Sequence, residues 1–151
     1  MPKFESTRAV QHSAGDMFSL VADVEKYPQF VPLCEALNVR EQRERDGKSV
    51  VIADMTVGYK AIRETFTSQV HLDPEANRIQ ATYLDGPFKH MDNRWTFVDR
   101  TGGGSDVHFF IEYEFKNRML GALMGAMFDR AFRKFSAAFE ARADALYADN
   151  A

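Results

Sequence analysis

The sequence predicts an α+β domain in which one long helix lies across the concave face of a curved antiparallel sheet of about seven strands. Three observations carry that prediction. From Lys116 to Tyr147 the chain has no proline and sets Leu120, Met124, Met127, Phe128, Ala131, Phe132, Phe135, Phe139 and Leu146 at helical intervals, with Arg130, Arg133, Lys134, Glu140 and Asp144 mostly on other faces. Between Leu37 and Phe115 apolar residues alternate instead, in runs of strand length cut by Gly, Pro, Asp and Asn. Strands and helices therefore segregate along the chain, the arrangement in which a helix covers one face of an antiparallel sheet. A cavity between the two layers is expected.

The elements follow in order. Phe4 to Gln11 alternates and carries Thr7 and Val10, as a first strand should. Ser13 stands three residues before Asp16, the signature of a helix N-terminus, and Met17, Phe18, Leu20, Val21 and Val24 follow at helical spacing. Tyr27 to Cys34 holds Pro28 and Pro32 among aromatics, which forbids a long helix and is too apolar for a solvated linker; a short helix or turn packed inward is predicted. Leu37 to Arg45 is a charged edge strand, joined through the hairpin signal Asp46-Gly47 to Lys48–Tyr59, where Val51, Ala53, Met55, Val57 and Tyr59 share a face.

Lys60 to Leu72 continues with Ile62, Phe66, Val70 and Leu72 on one face, with Lys60 and Arg63 outward, and the run from Asp73 to Asn77 is a turn. Ile79, Ala81 and Tyr83 line the next strand. After Asp85-Gly86-Pro87 and Phe88, a further strand presents Met91, Asn93, Trp95 and Phe97 together. Thr101 to Ser105, with three glycines, is the last turn, and Val107, Phe109, Ile111, Tyr113 and Phe115 face inward on the final strand.

Composition bounds the function classes. The chain of 151 residues, 45% hydrophobic with thirteen phenylalanines, is read as one domain with an aromatic core. A net charge of −3 lacks the basic excess of a protein held by phosphate contacts, so DNA is not an expected partner. The single cysteine, Cys34, excludes an internal disulfide and reads as a buried thiol. The first residues hold no apolar signal segment, and a cytoplasmic location, peripheral at most to the inner membrane, is expected.

Catalytic and metal motifs are scarce. His12, His71, His90 and His108 show no metal-ligand spacing, and neither a nucleophile elbow nor a phosphate-binding glycine loop occurs. Glu64 and the pair His108 and Glu112 are the acid-base candidates, weighed against ordinary surface roles. No catalytic residue, metal or cofactor is predicted. Asn93 shares its face with apolar neighbours and admits two readings: a buried amide awaiting a polar head group, or one bonded to local backbone. Gly121 and Gly125, set among Met119, Met124 and Met127, likewise allow either close approach by a ligand or backbone, or plain packing on a bulky core.

Three stretches carry a family resemblance: Val24-Glu25-Lys26-Tyr27-Pro28-Gln29-Phe30-Val31-Pro32-Leu33-Cys34; Asp85 to Met91 with Asn93-Arg94-Trp95-Thr96-Phe97; and the Phe/Met-rich terminal helix. With the order of elements, they make the chain resemble the START-like, helix-grip superfamily. The resemblance is to its coenzyme Q-binding branch, which includes polyketide cyclase/dehydrase-type proteins and the ribosome association toxin. It implies an apolar tunnel for a hydrophobic small molecule, ubiquinone or a related polyprenyl quinone, serving quinone biosynthesis or respiration. The implied ligand-binding residues are Met55, Val57, Phe66, Tyr83, Asn93, Trp95, Phe97, Phe109, Ile111, Met124, Phe128 and Phe132, with Phe30 and Pro32 near the mouth.

Pockets of this type run to about 300–1,000 Å³, and a long prenyl tail needs on the order of that upper limit or more, so transient contact with a membrane through exposed Met119, Leu120 and Leu123 beside Lys116 and Arg118 is expected. The alternative partner is the large ribosomal subunit, met through Arg118, Arg130, Arg133, Lys134 and Arg142. A cyclase-like enzyme is the third reading.

Overall fold

A computed structural model describes residues 3–59 and 61–147; Lys60, expected on a strand, lies outside the described residues. The order is β1 (Lys3–Val10), α1 (Ala14–Ala22), a 3₁₀ helix (Val24–Gln29), β2 (Cys34–Arg45), β3 (Lys48–Tyr59), β4 (Ile62–Asp73), β5 (Arg78–Asp85), β6 (Phe88–Asp99), β7 (Ser105–Phe115) and α2 (Arg118–Tyr147). The strands form one antiparallel sheet in the order β1-β7-β6-β5-β4-β3-β2. Hairpins join β2 to β7 in sequence, while α1 and the 3₁₀ helix carry the chain from one sheet edge to the other.

The element order agrees with the sequence pattern, and the differences are local. β2 begins at Cys34 rather than Leu37, β6 includes Phe88, and Ser105 opens β7 instead of ending the turn. The hydroxyl of Ser13 accepts from the Asp16 N–H, the cap expected for α1. Asp46 and Gly47 both take positive φ, as a two-residue hairpin of this twist requires. β2 is an edge strand blunted by charge and by two register shifts against β3. Further shifts at Thr67/Ser68 and Phe88/His90 add local bends to the sheet.

Asn117 starts α2, its side-chain oxygen accepting from the Met119 and Leu120 N–H groups. The helix buries Met124, Phe128, Ala131, Phe132, Ser136, Phe139 and Ala143. Leu146, expected in this stripe, is 50% exposed; Ala143 and the partly buried Tyr147 pack at that end instead. An ion pair and a hydrogen bond secure the flank: Arg8 reaches Glu140 at 2.7 Å and His12 reaches Asp144 at 2.6 Å. The close-approach reading of the helix glycines is not met. A Cβ at Gly121 would touch Phe115 at an ordinary 3.6 Å, and one at Gly125 would meet nothing within 4 Å.

Gly125→Ala should therefore raise stability by about 1 kcal/mol, since it relieves the backbone entropy of a helical glycine at a site with room. Phe139→Ala, which removes a ring 1% exposed, should cost about 3–5 kcal/mol. Urea unfolding checks both.

Candidate functional site

The α2 backbone runs closest to β7, β1 and α1, which places the helix over one side of the sheet and leaves space under it toward β3, β4 and β5. Its C-terminal half is pinned by rings. Trp95 on β6 lies 4.7 Å from Phe109 on β7 and 5.0 Å from Phe139 on α2, and Phe139 also meets Phe30 at 5.0 Å and Tyr27 at 5.4 Å. Nearer the helix start, Phe128 stands 5.4 Å from Phe115 and 5.6 Å from Phe132. Bulky rings at both ends hold helix and sheet apart, and the smaller side chains of Ala53, Val70, Ile79 and Ala81 do not fill the gap between.

The result is a cavity of about 110 Å³, measured as space open to the centre of a water molecule. On the same measure one water needs about 10–15 Å³, so the void takes a cluster of waters or one substituted ring, not a long chain. Of the residues expected to line a tunnel, Pro32, Met55, Val57, Phe66, Asn93, Trp95, Phe109, Ile111, Phe128 and Phe132 surround it. Four others are placed elsewhere. Phe30 stacks edge-on against Phe139, with the Arg142 guanidinium 5.2 Å over its ring. The Tyr83 hydroxyl accepts from the Phe88 N–H at 3.0 Å and so braces the β5–β6 turn. Phe97 lies beneath α1 against Phe18, and Met124 is wholly buried in packing beside the void.

The wall also uses Val24, Tyr27, Val31, Leu33 and Leu37, Ala53, Ser68, Val70, Ile79 and Ala81, Phe88, Met91 and Tyr113, and Ala131, Phe135 and Phe139. Most of these were within reach of the sequence, because they share strand parity or the helix stripe with residues that were named. Register confirms the common face: Val70, Ala81, Asn93 and Ile111 are successive cross-strand neighbours. What parity could not show is how far β2 and the 3₁₀ segment lean in.

Polar groups on the wall are few. Tyr27 donates to the Val21 carbonyl at 2.5 Å, and burial, reinforced by Cys34 and Asp23, pushes its phenol far upward. Burial first and Asp129 second raise the Tyr113 phenol. Asn93 Nδ2 donates to the Phe110 carbonyl at 2.9 Å. The local-backbone reading of Asn93 thus holds for its nitrogen, while the residue still borders the cavity. The acid-base candidates stay off the wall: His108 bonds Thr7 at 2.7 Å, Glu112 lies 3.4 Å from His90, and Glu64 stands opposite Val57 outside the lining. Among the described residues no group of His, Cys, Asp and Glu could hold a metal.

A curved antiparallel sheet that grips a long C-terminal helix around an apolar cavity is the START-like architecture. The chain belongs to the polyketide cyclase/dehydrase and lipid transport family, whose model matches residues 10–140. It is 32% identical to the ribosome association toxin RatA of Vibrio cholerae, over 99% of this chain and 100% of that protein. It is 28% identical to the mitochondrial coenzyme Q-binding protein COQ10 homolog B of Xenopus laevis, over 96% of this chain and 59% of that one. An 18 kDa protein from Caulobacter crescentus solved in solution superposes with a TM-score of 0.81 at 36% identity, covering 98% of this chain and 99% of its own.

Cys34 is buried, and loss of solvation pushes its thiol up to about 11, against a weaker opposing hydrogen bond from the Ala36 backbone. A raised thiol pKa leaves the neutral form dominant, so at pH 8 about one native thiol in a thousand is ionised. Alkylation by iodoacetamide at pH 8 should run at least about a hundredfold slower in native than in urea-unfolded protein.

Proposed function

We propose that this protein binds a prenylated aromatic lipid of the ubiquinone class without covalent chemistry, its ring in the cavity under α2 and its tail leading out. The observation that carries this reading is the cavity itself: an enclosure walled almost wholly by apolar and aromatic side chains, with isolated polar groups that orient a ring. The COQ10 relative supports the same ligand class. Among the described residues no carboxylate or imidazole lines the wall, which favours binding over a cyclase-like reaction.

The void is too small for the tail, so the tail stays in a bilayer during exchange. Met119 and Leu123, 71% and 58% exposed on the first turns of α2, sit beside exposed Lys116 and Arg118 and suit a brief docking on anionic lipid. Leu120, expected in this patch, is half-buried against the core and does not belong to it.

A second reading has its own support. The RatA relative matches over its whole length and at higher identity than COQ10 does, which favours a role at the ribosome. Arg130 and Lys134 are exposed on α2 and would make that contact, whereas Arg133 is paired with Asp129 at 2.9 Å and Arg142 with Gln29 at 2.6 Å.

Native mass spectrometry with organic extraction, on protein from a quinone-producing bacterium, should detect one polyprenyl quinone per chain. Ala81→Leu, which grows a side chain into the void, should empty it with little loss of stability. Protein that never carries lipid, together with shifted subunit profiles in sucrose gradients, would replace the lipid reading with the ribosomal one.

A further inference from the structure

Resting on the lipid-binding reading, we infer that Asn93 makes the cavity prefer a ring that bears a hydroxyl, a phenol or hydroquinone, over the matching quinone. The atom facing Asn93 Nδ2 at 2.9 Å is the carbonyl oxygen of Phe110. A carbonyl oxygen accepts and never donates, so only the nitrogen end of the amide can stand there. The orientation of the amide is thereby fixed, and its oxygen is left for the cavity. Oδ1 receives no hydrogen bond from the described residues, and it is not among the polar atoms sealed from solvent. Its accessible surface opens onto the void that Asn93 borders.

An amide oxygen is an acceptor only. The cross-strand neighbours of Asn93 are Ala81 and Ile111, which offer it no side-chain donor. The other polar groups on the wall are more tolerant. Ser68 and Tyr113, 7% and 3% exposed, carry hydroxyls without a partner among the described residues, and each rotates to donate or accept as the ligand demands. Tyr27 has committed its proton to Val21. The Trp95 indole N–H, also on the wall, only donates and suits quinone and quinol oxygens alike, so of the polar side chains there Asn93 alone requires a donor from the ligand.

Before a ligand enters, a water can meet that demand. A ring that displaces the water must bring an O–H or N–H to Oδ1, or leave a buried acceptor unpaired. The carbonyl and alkoxy oxygens of a quinone are all acceptors and cannot serve. The second Asn93 amide proton can reach a quinone oxygen, but Oδ1 still lacks a donor in that complex. Two-electron reduction of the quinone, with two protons, turns each ring carbonyl into a hydroxyl and supplies one. The cavity thus discriminates by redox state.

The test compares a decyl-tailed dimethoxybenzoquinone with its quinol, held reduced under anaerobic dithionite, by equilibrium dialysis. The wild-type protein should bind the quinol about tenfold more tightly. The di-O-methyl ether of the quinol keeps the aromatic ring and its oxygens and loses both donors, and it should bind no better than the quinone. Asn93→Leu should bring quinol and quinone to within about twofold. Equal affinities in the wild type, or a preference that the ether or Asn93→Leu retains, would overturn the inference while leaving the lipid-binding reading intact. Binding of none of the three would sink that reading, and this one with it.

Discussion

The ring contact among Trp95, Phe109 and Phe139 is the constraint on which the rest depends. A helix of thirty residues cannot follow a sheet that curves beneath it, so it can be seated firmly over only part of its length. Here the seat is aromatic, with edge-to-face contacts at 4.7 and 5.0 Å, backed by Phe30 and Tyr27 from the segment that closes one side. Once that end is fixed, the spacing of helix from sheet elsewhere follows from ring size. Phe128 and Phe132 stand as pillars, and the small and β-branched side chains of β3, β4 and β5 leave the volume open.

Such a cavity is a compromise between stability and use. Filling it would gain dispersion contacts and leave no room for a ligand. The wall keeps desolvation penalties low by excluding charged groups: ion pairs such as Arg40 with Asp54 and Arg63 with Glu35 stand exposed on the outside, and the buried tyrosines stay neutral at any physiological pH because burial raises their phenols. Selectivity is then left to a few uncharged hydrogen-bonding atoms.

The order of elements was legible because strand alternation and helix periodicity are written in single residues, and the turns at Asp46-Gly47 and Asn77 announce their positive φ by residue type. The inward face of the sheet was legible for the same reason. Membership of the cavity wall was not, since parity gives a face and not a height along it. Phe97 and Tyr83 share the inward face, yet α1 covers the one and the β5–β6 turn engages the other. The helix stripe misled at Leu146, which stays half exposed while the smaller Ala143 is fully buried at that end of the helix. Gly121 and Gly125 left two readings open, of which plain packing is the one met, because a residue can be tolerated in a helix without a contact that requires it.

The pairing of β1 with β7 has a consequence for synthesis. Thr7 and His108, bonded side chain to side chain, are 101 residues apart, and His12 meets Asp144 across 132. β1 therefore waits for β7, the last of the seven described strands, before it can join the sheet, and the part of the concave face that α1 does not cover stays bare until α2 has followed. Non-local topology of this kind slows folding and lengthens the time in which a nascent chain can stick to its neighbours. A chain cut short before Phe128 would display the inner face of the sheet wherever α1 does not cover it, which makes the long helix the chain's own late-arriving chaperone.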